Sequence, residues 1–189
     1  MVHDIKAAIR FLRANAEKFG YRADRIAIAG NSSGAHLAAL VGVTSGNAEL
    51  EGDEGNEEQS SAVQAIVSYY GASNLMTILS QSTPYGLGVR EPALTLLLGD
   101  LPAKQSTLAK LASPVTHVDR ADPPLFLLHG DQDPQMPINQ SHELHGAYKT
   151  LGLDVTFDVV YGAAHGGNAF FAPEELGRVV AFLRRTIGR

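Results

Sequence analysis

The stretch Arg25-Ile26-Ala27-Ile28-Ala29, then Gly30-Asn31-Ser32-Ser33-Gly34, then Ala35-His36-Leu37-Ala38-Ala39-Leu40 sets a strand-like run, a G-x-S-x-G pentapeptide and a helix-like run end to end. A chain that reverses from strand to helix within so few residues crowds its own backbone. Both glycines are therefore expected to be required, because a Cβ beside the serine would clash. Ser32 then stands at the carboxyl end of the strand as a candidate nucleophile.

Outward from this stretch, the 189 residues suffice for one domain, residues 1–189, burying on the order of 70 % of its unfolded surface. The net charge is -5 and no cluster of Lys and Arg occurs, which argues against nucleic acid as a partner because phosphate binding needs concentrated positive charge. With no cysteine in the chain, disulfides, a thiol nucleophile and thiolate-ligated metals are excluded. The amino-terminal residues mix charges with apolar side chains at helical spacing. No signal-peptide core and no membrane span are expected, and the compartment stays open.

Ile5, Ile9, Phe11, Leu12 and Ala16 follow a helical period that Gly20 closes. The stretch from Gly46 to Ser60 holds Glu49, Glu51, Asp53, Glu54, Glu57 and Glu58 without a basic residue and reads as a solvated loop. It lacks the spacing of a calcium loop. Val63 to Tyr70 is the second strand, Pro124 to His129 the third and Val155 to Val159 the fourth, with helices expected at 139–151 and 173–187. Alternating strands and helices predict an α/β fold of about four parallel strands covered by helices on both faces. Residues 81–104, with Pro84, Pro92 and Pro102 around an apolar Leu94 to Leu98, read as a lid-like insertion holding one short helix.

A serine hydroxyl needs a base to take its proton and a carboxylate to orient that base. His165 follows the fourth strand, and Asp131 and Asp133 follow the third. In a parallel sheet these turns gather at the same edge as Ser32. Asp133 is the favoured acid and Asp131 the rival, which otherwise caps backbone N–H groups in its turn. His129 and His36 read as structural, and His142 with His145 lack a third metal ligand. One of Tyr69 and Tyr70 is expected in the core, and either can line a pocket.

The chain resembles α/β-hydrolases of the carboxylesterase/lipase type, near the acetyl-xylan and feruloyl esterase relatives. The likeness is carried by Asp4 to Arg13, Gly30 to Gly34, Ala112-Ser113-Pro114, His129-Gly130-Asp131-Gln132-Asp133 and Ala164-His165-Gly166. It implies Ser32 as nucleophile, Asp133 as acid, His165 as base, and no cofactor or metal. The substrate implied is a small ester with a short acyl chain, carried on a saccharide in the nearest relatives. The backbone N–H of Ser33 supplies one oxyanion donor.

The same likeness places further donors on an HGGG-like loop, and no such motif occurs between Met1 and Ser32. The chain then corresponds to the carboxyl-terminal part of the fold, and its strand at 25–29 becomes an open edge suited to self-association. Two other readings follow from the same residues. One is a module that is non-catalytic or needs a missing amino-terminal half, and the other is a fragment of a serine peptidase of the prolyl-oligopeptidase type.

Overall fold

The computed structural model describes residues 1–188. In chain order it contains α1 (Val2–Ala14), α2 (Ala16–Phe19), β1 (Ala27–Asn31), α3 (Ser33–Gly42), α4 (Ala48–Glu51) and β2 (Ala65–Tyr69). There follow α5 (Ile78–Gln81), α6 (Pro84–Leu98), α7 (Ser106–Leu111), β3 (Leu125–Gly130), α8 (Asn139–Thr150), β4 (Val155–Val160) and α9 (Pro173–Thr186). The strands form one parallel sheet in the order β1-β2-β3-β4. This is a partial α/β-hydrolase fold, with β1 at one margin of the described sheet.

Strand alternation divides the core into two layers. Ile66, Leu125 and Leu127 point to the face covered by α1, α3 and α8, where they meet Ile9, Ala39 and Leu144. Val67, Tyr69, Phe126 and Leu128 point to the opposite face and meet Val179 and Phe182 of α9. Because β2 and β3 are buried along their whole length, their sequences are mostly apolar rather than alternating, with Ser68 and His129 the polar exceptions. Full burial of a Leu or Ile side chain contributes about 1.5–3 kcal/mol, so these two strands anchor the sheet. A third cluster, with Leu75, Ile78, Leu94, Leu98 and Met136, lies under α5 and α6 beyond the carboxyl ends of the strands.

Register brings Asn31 beside Tyr69, Tyr69 beside Leu128, and Gly130 beside Val160. The turns after all four strands therefore share one edge. β1 starts and ends two residues later than the expected strand at 25–29, because Ser32 N–H still donates to Tyr69 O (2.9 Å) and prolongs the ladder. The chain reversal is thereby confined to Ser32 itself.

Three local features depart from the sequence expectations. Phe11 and Leu12 of α1 are exposed, whereas Lys6, Ile9 and Arg10 are buried. The reason lies in the acidic stretch: Lys6 Nζ donates to Glu51 Oε1 (2.7 Å), Ser61 Oγ donates to Glu51 Oε2 (2.8 Å), and Arg10 Nη1 donates to Glu51 O (3.0 Å). Glu51 thus neutralises a buried lysine and ties its loop to α1, while Glu49, Asp53, Glu57 and Glu58 face solvent. The expected short helix in the insertion is instead α6, 15 residues long. Pro84 occupies its first turn, where the missing N–H costs nothing, and Thr83 Oγ1 accepts from Gly86 N–H (3.0 Å).

A pH effect on stability arises at the turn before β3. Burial pushes the Asp122 carboxyl from 3.8 up to about 7, a rise aided by Asp119 and only partly opposed by the Asp119 N–H that Asp122 accepts. The folded protein then holds a proton that the unfolded chain has released. Its stabilising contribution is full below the ordinary carboxylate range and is lost as pH climbs toward 7. Asp122→Asn is expected to melt several degrees above wild type at about pH 8 and to match it at about pH 4, read by thermal melts at both pH values.

Candidate active site

Ser32 adopts φ 51° and ψ -118°, a conformation that few non-glycine residues take. The strain is held by its neighbours. Ser32 O accepts from the N–H groups of Ala35 and His36 (both 3.1 Å), so the serine carbonyl already belongs to α3 while its amide still belongs to the sheet. A Cβ on Gly30 would fall 2.2 Å from Gly34 O and 2.7 Å from Ala35 N, which leaves no room for any side chain there. Gly34 differs from expectation: its nearest neighbour would be Asn31 Oδ1 at 4.0 Å. Only the first of the two glycines is demanded by crowding.

Ser32 Oγ–H donates to His165 Nε2 (2.8 Å), and His165 Nδ1–H donates to Asp133 Oδ2 (2.7 Å). Three side chains from three strand ends, 133 and 32 residues apart, form one continuous relay. Asp131 does not reach the histidine; its Oδ1 accepts Gly162 N–H (2.6 Å) and fixes the turn that carries His165. Close packing of the same two turns requires Gly130, where a Cβ would lie 2.1 Å from Ala163 O.

The Asp133 side chain is fully buried. Its Oδ1 accepts from the N–H groups of Gln135 (2.9 Å) and Met136 (2.8 Å), and its Oδ2 lies 3.3 Å from His129 Nε2 as well as against His165. Burial pushes this carboxyl up, but the donors from His129, His165, Met136 and Gln135 outweigh burial and hold it well below the ordinary carboxylate range. It is a fixed negative charge aimed at His165. His129 Nε2 faces two acceptors, Met136 O (3.0 Å) and Asp133, so it carries the proton, while Nδ1 accepts from Ser141 Oγ–H (2.7 Å).

Next to Ser32 opens a cavity of about 320 Å³, lined by Ser33, Leu37, Leu75, Leu94 and Arg90 among others. Ser33 is the first residue of α3, and the N–H groups of a helix's first turn have no intrahelical acceptor. His36 also borders the cavity, but its Nε2–H donates to Ala112 O (2.7 Å), and burial pulls its pKa down. It is a neutral structural group. Tyr69 and Tyr70 are both buried. Tyr70, at φ 44°, sets its ring edge-on to His165 with centroids 4.8 Å apart, bracing the imidazole. His142 and His145 pack against Phe157.

Residues 1–148 match the BD-FAE family. The chain belongs to the BD-FAE family. Among curated proteins this BD-FAE chain is similar to Esterase LipQ of Mycobacterium tuberculosis, 34% identical over 79% of the chain and 34% of that protein. Among solved structures it is similar to a truncated form of a carbohydrate esterase from gut microbiota, with TM-score 0.87, 31% identity, and coverage of 98% of this chain and 67% of that one. It is also similar to the acetyl ester-xyloside bifunctional hydrolase of Caldicellulosiruptor lactoaceticus, with TM-score 0.80, 27% identity, and coverage of 99% and 65%. The chain spans about a third of the length of the curated relatives it matches first.

Three features of this BD-FAE chain lie outside its sequence motifs: the His129 contact on Asp133, the Tyr70 brace and Arg90 in the cavity wall. The first had a signal, since His129 and Asp133 stand four residues apart across a glycine turn. Arg90 had none. It lies 43 residues before Asp133 in a segment whose packing only the fold determines.

Proposed function

We propose that this chain is a serine ester hydrolase acting on short-chain acyl esters, with acylated saccharides as the natural class. The observation that carries the proposal is the unbroken Ser32–His165–Asp133 relay, 2.8 and 2.7 Å, at the mouth of an apolar cavity. The esterase relatives and the acetyl ester-xyloside hydrolase support the substrate class.

In this reading His165 Nε2 takes the Ser32 proton as Oγ attacks the ester carbonyl, and buried Asp133 stabilises the imidazolium that forms. The Ser33 N–H donates to the oxyanion of the tetrahedral intermediate. His165 then gives its proton to the leaving alcohol, which departs and leaves an acyl group on Ser32. Water, deprotonated by His165, attacks the acyl carbonyl, and collapse returns the free serine and a carboxylic acid.

The test is covalent labelling with a fluorophosphonate beside hydrolysis of p-nitrophenyl acetate and butyrate. The expected result is one adduct per chain, mapped by peptide mass to Ser32, with loss of p-nitrophenol release in proportion to labelling. Labelling elsewhere, or release that persists in the fully labelled protein, would overturn the proposal.

A further inference from the structure

Arg90 is the single cationic side chain among the described residues lining the cavity beside Ser32. It is carried by α6, whose Leu94 and Leu97 supply apolar wall around it. Its Nε is buried and has no hydrogen-bond partner, and no ion pair to Arg90 occurs among the described residues. Burial pulls its pKa down and the nearby Asp133 charge partly offsets this. Asp133 is not its partner, because both carboxylate oxygens are already engaged by the donors of Gln135, Met136, His129 and His165. Taking a guanidinium partly out of water without a counter-charge is costly. A guanidinium that lines an apolar cavity without a counter-charge suits one ligand group above others, a carboxylate, which a guanidinium can hold through two parallel hydrogen bonds.

We infer that Arg90 selects esters bearing a carboxylate, which it binds in the cavity next to Ser32. This rests on the ester-hydrolase reading of Ser32 and adds the substrate's charge to it. The carboxylate belongs to the acyl part or to the alcohol part, depending on which of them enters the cavity. In either case Arg90 touches the substrate at a point away from the reacting carbonyl, so its contribution appears in discrimination between charged and neutral esters.

Two matched pairs test this: monoethyl succinate against ethyl butyrate for the acyl side, and 3-acetoxybenzoate against phenyl acetate for the alcohol side. The quantity read is the ratio of kcat/KM for the charged ester to that for its neutral partner, in wild type, Arg90→Met and Arg90→Lys. For one of the pairs Arg90→Met is expected to lower the ratio at least about tenfold, the range of a charge-assisted hydrogen bond, with Arg90→Lys between the two. Calorimetric binding of monoethyl succinate and 3-acetoxybenzoate to Ser32→Ala, with and without Arg90→Met, supplies a readout that needs no turnover. Binding that depends on Arg90 in a chain that hydrolyses none of the esters would sink the hydrolase reading and leave the carboxylate site standing. Hydrolysis of the neutral esters with ratios and binding indifferent to Arg90 would overturn the inference alone.

Discussion

Ser32→Ala and His165→Ala are each expected to lower kcat for p-nitrophenyl butyrate by about 10⁶-fold, and the double variant to lose no more than either single one. The physical reason is that the serine and the imidazole act as one unit. An alkoxide cannot form at neutral pH without the base, and the base has nothing to activate without the serine. Asp133→Asn is expected to lower kcat by about 10⁴-fold. Here the geometry is specific, because Asp133 accepts from Gln135, Met136 and His165 and lies against His129, and all of these are donors. An asparagine has only one acceptor oxygen. Whichever way it turns, its NH₂ group faces either the two backbone N–H groups or the two imidazoles, and in the second case His165 is driven to the tautomer with the proton on Nε2, facing Ser32. Steady-state kinetics on folded variants, checked by circular dichroism, decide the matter. Losses that add in the double variant, or a Ser32→Ala enzyme within tenfold of wild type, would remove Ser32 and His165 from the proposed mechanism.

The parts of this molecule legible in its sequence are those governed by local rules. The apolar runs at β2 and β3 announce strands covered on both faces, and the placing of Ser32, Asp133 and His165 after β1, β3 and β4 announces a shared edge. A parallel sheet puts those turns at one edge, whatever the lengths of the intervening helices, and the turn geometry then closes the contacts. What was not legible depends on contacts between distant segments. Lys6 and Arg10 look like the polar side of α1 until the fold brings Glu51 against them, 45 and 41 residues away. Their burial leaves Phe11 and Leu12 facing outward, so of the apolar period of α1 only Ile5 and Ile9 meet the core. Likewise the length of α6 exceeds its sequence signal, because its proline and glycines are poor helix formers. Leu94 and Leu98, buried against Leu75 and Met136, hold the helix that propensity alone would not extend.

The two glycines of the pentapeptide give the sharpest contrast between a pattern and the physics behind it. Gly30→Ala is expected to destabilise the chain by more than about 4 kcal/mol, the range reserved for severe core or backbone clashes. Its Cβ would lie 2.2 Å from Gly34 O and 2.3 Å from Gly34 C. These are backbone atoms of the first turn of α3, which cannot retreat without breaking the bonds from Ala35 and His36 to Ser32 O. Relief would have to come from Ser32, whose strained φ and ψ hold Oγ 2.8 Å from His165. Gly30→Ala should therefore lose stability and fluorophosphonate labelling together. Gly34→Ala meets nothing closer than Asn31 Oδ1 at 4.0 Å and sits in helical backbone at the start of α3. Alanine is the better helix former there, so this variant is expected to match wild type or gain up to about 1 kcal/mol. Urea denaturation midpoints of both variants against wild type make the comparison. A Gly34→Ala chain as unstable as Gly30→Ala would mean that the turn is held by both glycines and that the open space beside Gly34 is taken up in solution. A Gly30→Ala chain far less stable than Gly34→Ala would show that a G-x-S-x-G match has one glycine fixed by backbone collision and one that the fold leaves free.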